Sequence, residues 1–200
     1  IIIVLIISPI IAFCVGYMMY TIVKIVFKNS NLTRTNRNFR FFQIFTAALQ
    51  SFSHGTNDAQ KSMGIITLAL IVANLQTGSS VEPQLWVKIA CATAMGLGTA
   101  VGGWKIIKTV GGNIMKIRPA NGAAADLSSA LTIFVASSLH FPLSTTHVVS
   151  SSILGVGASN RAKGVRWSTA QRMLITWVIT LPISAVLAAL VYFIMHFFLK

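Results

Sequence analysis

Ser53-His54-Gly55-Thr56-Asn57-Asp58-Ala59-Gln60-Lys61 sits in the middle of Phe41 to Ala73, a stretch otherwise apolar and long enough to cross a bilayer as a helix. Ionisable groups inside a membrane segment cost about 2.5–3.5 kcal/mol on insertion scales, so they mark places where an ion or substrate passes. Two of the chain's three acids, Asp58 and Asp126, fall inside such segments. The polar run from Gln50 to Ser62 predicts a break in its helix, with Gly55 letting the backbone unwind. Asn57 and Asp58 supply hard oxygens of the kind an alkali cation takes, and unwound carbonyls would complete the shell. A half-helix starting near Asp58 would aim its amides at an anion.

Outward from this stretch, composition names the solvent. With 54% apolar and only 10% charged residues, there is too little polar surface to clothe a soluble globule of 200 residues. A net charge of +13 would suggest a nucleic-acid footprint in a soluble chain. Here the bases fall in short clusters between apolar segments, the arrangement of membrane loops, and nucleic acid is excluded as a partner in favour of the lipid bilayer. Cys14 and Cys91 lie inside apolar runs without metal-ligand spacing. Ile1 opens inside an apolar run that lacks the basic start and cleavage site of a signal peptide, so the sequence reads as a piece of a longer chain.

Apolar spans are expected over Ile1 to Phe27, Leu85 to Trp104 and Met173 to Leu199, the last with Pro182 as a kink. The glycines Gly96, Gly98, Gly102 and Gly103 suit close helix packing. Loops are expected at Lys28 to Arg40 and Asn74 to Gln84. Thirteen of the sixteen bases fall in residues 24–40, 105–118 and 161–172, which places those loops on the cytoplasmic side of a multi-pass cell-membrane protein. Ala123 to Ala158 must then leave and return to one side as a hairpin.

Within that hairpin, Pro142-Leu143-Ser144-Thr145-Thr146-His147 separates two short apolar pieces and has the composition of a helix start. Ser144 or Thr145 can act as N-cap, leaving amides and hydroxyls for a tetrahedral oxyanion. Structural alternatives stand beside these readings. Hydroxyls in membrane helices often bond only the carbonyl four residues back. His54 fits a packing or proton-relay role as well as a binding one, and His140 and His147 fit the membrane interface. Asp126 suits either a cap on the hairpin's first helix or a cation, and Lys61, three residues after Asp58, suits its ion-pair partner.

Ser53 to Gly64, SHGTNDAQKSMG, resembles the second signature of the inorganic phosphate transporter (PiT) family, and PLSTTHVVSS, residues 142–151, is similar to that family's second element. The similarity runs over roughly Phe41 to Arg172, and the Gln60-Lys61 pair looks most like the bacterial low-affinity branch. The resemblance implies an all-α polytopic membrane fold with discontinuous helices and a helical hairpin, residues 1–200 forming one transmembrane domain. That domain would be the C-terminal repeat of an inverted-repeat symporter. Phosphate would then bind at Asn57, Ser144, Thr145 and Thr146, and the cation at Asn57, Asp58, Ser144 and Thr145, with sodium at Asn57 and Asp58. His54, Gly55, Lys61, Asp126 and His147 would support the site. In the low-affinity branch a proton replaces sodium as the coupling ion and phosphate travels as a metal-phosphate complex, an alternative that the residues leave open. The partner repeat is expected outside these 200 residues, and a homodimer is a further expected assembly.

Two other classes compete. His54 and Asp58 are four apart, which on one helical face permits an intramembrane metal enzyme, but a third ligand at helical spacing is missing and Gly55 works against the helix. The same architecture also fits sulfate, from which phosphate is told apart by an acceptor for its proton, and Asp58 is the candidate.

Overall fold

The chain is described here by a computed structural model covering residues 2–30, 32–76 and 82–198. It is helical throughout its described elements: α1 (Ile2–Val26), α2 (Leu32–Val72), α3 (Leu85–Asn113), α4 (Pro119–Ser138), α5 (Thr145–Arg161), a 3₁₀ turn (Ala162–Gly164) and α6 (Trp167–Phe198). Residues 1–165 form one packed unit and residues 166–200 a second.

In the first unit, α4 and α5 make the expected hairpin. Pro119 opens α4 at its first turn, where a missing N–H costs nothing. The chain then leaves α4 through His140, whose φ of 58° is left-handed. His140 N–H bonds Ser137 O at 3.0 Å and Phe141 N–H reaches Ala136 O at 2.9 Å, the paired bonds of a Schellman ending. His140 is therefore the turn residue of the hairpin tip. Its backbone geometry takes up the orphan carbonyls of α4, and Pro142 follows where the helix cannot continue.

Both arms of the hairpin lie parallel to an earlier helix. Along α1 and α5 the cross-links run Ala12 O to Ser152 Oγ (3.4 Å), Thr21 Oγ1 to Ser159 Oγ (2.8 Å) and Tyr20 Oη to Asn160 Oδ1 (3.2 Å). Lys24 Nζ donates to the Ser159 carbonyl at 2.9 Å, a cation on the last turn of α5, where the helix dipole favours it. The two backbones touch: a Cβ on Gly155 would collide with the Phe13 carbonyl, and one on Gly16 with the backbone of Ser152. Small residues thus let α1 and α5 approach without side chains between them. Ala12, Ile133, Leu143 and Val148 close a dry cluster beneath the hairpin tip, Leu143 being 2% exposed.

On the other side α2 and α4 run in parallel, joined by polar pairs at a constant register. Thr46 faces Asp126 (3.5 Å), Gln50 accepts from Ser129 (2.8 Å) and Asn57 donates to Ser137 (2.6 Å). Gln43, Thr46, Gln50, Ser53 and Asn57 recur at alternating spacings of three and four, one stripe of a helix.

That stripe corrects the expected break. α2 is one unbroken helix of 41 residues, about 60 Å long, and runs straight through Gly55 to Ser62. A single glycine costs a helix only about 1 kcal/mol. The polar side chains need no unwound backbone because α4 and the hairpin tip supply their partners, and Thr56 returns its hydroxyl to Phe52 O at 2.7 Å. Of the two expected breaks, the one in the hairpin is present, at residues 139–144. The basic stretches are less loop-like than expected. Residues 32–40 are the start of α2, residues 105–113 the end of α3, and residues 167–172 the start of α6. Lysine and arginine are good helix formers, so helices continue past their apolar portions. The loop expected at Asn74 to Gln84 begins where α2 ends, and residues 77–81 of it lie outside the described residues.

Among the described residues, three helices are long and apolar enough to cross a membrane, over Ile3–Val26, Leu85–Trp104 and Trp167–Phe197. The second unit is such a helix, continuous through Pro182, with Leu187, Leu190, Val191 and Phe193 more than half exposed. Water would penalise each of these by about 1.5–3 kcal/mol relative to an apolar surrounding, so lipid is their solvent.

Candidate functional site

The hairpin tip closes against α2 at Asp58. Its Oδ2 accepts a 2.9 Å hydrogen bond from Thr145 Oγ1 and lies 3.3 Å from His54 Nε2. Its Oδ1 is 3.0 Å from Lys61 Nζ, which also donates to the Leu143 carbonyl at 2.8 Å. His54, Asp58 and Lys61 share a face because three and four residues make one helical turn. One carboxylate thus gathers two residues of its own helix and the first residue of α5.

Beside it, Asn57 is 5% exposed and donates to Ser137 Oγ, while its Oδ1 is buried with no partner among the described residues. A buried acceptor without a donor costs about 1–3 kcal/mol, which a bound cation or a protonated ligand oxygen would relieve.

α5 begins at the same place. Ser144 is its N-cap, extended at φ −93° and ψ 111°, and its hydroxyl caps no amide. Val148 N–H bonds back to Ser144 O at 3.1 Å. The amides of Thr145, Thr146 and His147 precede it and carry the positive end of the helix dipole. Among the described residues, the helix start at Asp58 is that of α5, and the half-helix start expected within α2 is absent because α2 is continuous.

Of the residues singled out in the sequence, His54, Asn57, Asp58, Lys61, Ser144 and Thr145 meet here. Thr145 is 3% exposed and Ser144 is half-buried beside it. Thr146 lies one position on with an exposed side chain, and His147 is half-buried. Gly55 takes no part in a bend, and a Cβ there would meet nothing within 4 Å. Asp126 is elsewhere. It packs near Thr46, twelve residues or about 18 Å up α2 from Asp58.

Two contributors escaped the sequence reading: Ser137, which holds Asn57, and the Leu143 carbonyl, which holds Lys61. Ser137 had a signal, since the Gln43-to-Asn57 stripe demands a polar counterpart on whichever helix covers it. The carbonyl had none, being backbone.

Residues 27–188 match the phosphate transporter family. A probable low-affinity inorganic phosphate transporter of Bacillus subtilis (strain 168) is 69% identical over 192 residues, which cover 96% of this chain and 57% of that protein. One of Mycobacterium bovis is 44% identical over 164 residues, 82% of this chain and 39% of the relative. A solved structure described as a sodium-dependent phosphate transporter superposes with a TM-score of 0.74 at 26% identity, over 97% of this chain and 57% of the other. The chain spans about half the length of the curated relatives it matches. Its relatives are named as transporters and not as enzymes, and with its lipid-facing helices and its hairpin closed on Asp58, the chain belongs to the phosphate transporter family.

Proposed function

We propose that the protein moves inorganic phosphate across the cell membrane by secondary active symport, driven by a sodium or proton gradient. The carrying observation is the meeting of an unbroken α2 and the start of α5 at the Asp58–Thr145 hydrogen bond. There an acid, a buried amide oxygen and a positive helix end adjoin one another, a set that binds a cation and an oxyanion together.

In this reading Asn57, Ser144, Thr145 and Thr146 hold phosphate, through the amides at the start of α5 and the adjoining hydroxyls. Asn57 Oδ1 and Asp58, with Ser144 and Thr145, line the place of the coupling cation, a sodium ion or a proton. Such donors bind an anion without a fixed bidentate clamp, so release stays fast. His54 and His147 flank the site, and Asp126 serves the α2–α4 seam.

Residues 1–200 act as one transmembrane domain, the C-terminal repeat, facing a second inverted repeat across the substrate; the chain's share of its relatives' length supports this. Residues 24–40, 105–118 and 161–172 carry the basic clusters and face the cytoplasm. Rocking one repeat against the other alternates access, and phosphate travels free or as a metal-phosphate complex.

The deciding experiment is labelled phosphate uptake by the full-length protein in proteoliposomes, with sodium and proton gradients imposed separately. Saturable uptake driven by either gradient, competed by arsenate more than by sulfate, is the expected result. Uptake driven by neither ends the proposal.

A further inference from the structure

We propose that Lys61 is a built-in cation, its ammonium occupying the position between Asp58 and the hairpin tip that a coupling sodium would otherwise fill. The inference rests on the symport reading above and deepens it by assigning the cation at Asp58.

The two groups that hold Lys61 are a carboxylate oxygen, Asp58 Oδ1 at 3.0 Å, and a backbone carbonyl, Leu143 O at 2.8 Å. These are the oxygen types an alkali cation collects in a membrane site. They come from different parts of the fold, α2 and the tip of the hairpin, 82 residues apart from Lys61 to Leu143. A lysine in this position supplies the charge that joins them, without a mobile ion.

The remaining Asp58 oxygen is also engaged, by Thr145 Oγ1 and His54 Nε2. Sodium entering at Asp58 would have to displace one of these groups, and it would sit beside an ammonium of the same sign. Lys61 Nζ carries three N–H donors and spends two on Asp58 and Leu143, which leaves one for an oxyanion at the α5 start. Its side chain is 44% exposed and Asp58's 25%, so this charge pair borders open space on one side. The same ammonium thus secures the hairpin tip and offers a fixed positive charge to the substrate.

Removing the ammonium should open a cation site in its place. The test uses the full-length protein, Lys61→Ala, and the near-isosteric neutral Lys61→Met as a second variant. Phosphate uptake in proteoliposomes is measured in sodium and in choline buffers with the pH gradient held constant. Melting temperature in detergent is measured in the same two salts.

The unaltered protein should transport equally in both salts, within about twofold. Each variant should lose at least about tenfold in choline and recover at least about fivefold in sodium. Sodium, and not choline, should raise the variants' melting temperature while leaving the unaltered protein's unchanged. Sodium dependence of the unaltered protein would overturn the assignment, and so would variants whose melting temperature ignores sodium. If the unaltered protein takes up no phosphate under either gradient, it is the symport reading that falls, and the melting temperatures still decide Lys61.

Discussion

Thr145 Oγ1 and Asp58 Oδ2 are 2.9 Å apart although 87 residues separate them in the chain. The bond ties the first residue of α5 to the middle of α2, so the start of one helix is held by the side of another. A hydrogen bond to an ionised acceptor is worth about 1.5–3 kcal/mol, roughly twice a neutral one. This contact therefore couples the position of the hairpin tip to the charge state of the site.

Thr145→Val keeps the shape and removes the donor. Phosphate affinity of the full-length protein should fall by about tenfold or more, the equivalent of ~1.4 kcal/mol. Thr145→Ser keeps the hydroxyl and should stay within about threefold, a loss of under ~1 kcal/mol. Equilibrium binding of labelled phosphate compares the two, and equal affinities would deny the hydroxyl a role.

Asp58→Asn leaves an acceptor for Thr145 but removes the charge that holds Lys61 and draws in a cation. Gradient-driven uptake should collapse, while the protein still folds and inserts, because Asp58 is a quarter exposed and stands outside the dry cluster. Uptake kinetics alongside melting temperature separate the two effects, and coupled uptake at the original rate would remove Asp58 from the mechanism.

Gly155→Leu drives a side chain into the Phe13 carbonyl, where α1 and α5 touch. Overpacking of this kind costs about 1–3 kcal/mol, so the melting temperature should drop by several degrees. Gly55→Ala is the control, since nothing lies within 4 Å of its new methyl and alanine is the better helix former by about 1 kcal/mol. Its melting temperature should hold or rise. A fall at Gly55 would mean that α2 bends there after all.

Gln50→Leu and Ser129→Ala test the seam between α2 and α4. Each removes one partner of a 2.8 Å hydrogen bond. In a double-mutant cycle the pair should show a coupling of about 0.5–1.5 kcal/mol. Additive losses in thermal or denaturant stability would show that the two side chains do not support one another.

The polar run Gln50 to Ser62 shows where the sequence was readable and where it was not. Its residue types pointed to His54, Asp58 and Lys61, which the fold gathers against the start of α5, because polar groups inside an apolar segment need partners wherever they lie. Its effect on the backbone was misread. The same polarity arises from an unwound helix and from an intact helix whose stripe faces a polar neighbour, and the pattern of Gln43, Thr46, Gln50, Ser53 and Asn57 favoured the second. The hairpin break, expected over Pro142 to His147, lies at residues 139–144, since proline forbids continuation and a hydroxyl residue opens the next helix, both local effects.

By itself the sequence determined the solvent, the apolar spans, the basic ends and the hairpin, because each depends on residue type and spacing over a turn or a bilayer's width. Tertiary structure decided between the two readings of α2, chose Ser137 and the Leu143 carbonyl as partners in the site, and set Asp126 apart from Asp58. The reason is the parallel register of α2 on α4, an offset of about 80 residues set by how two whole helices pack, which no local run of residues encodes.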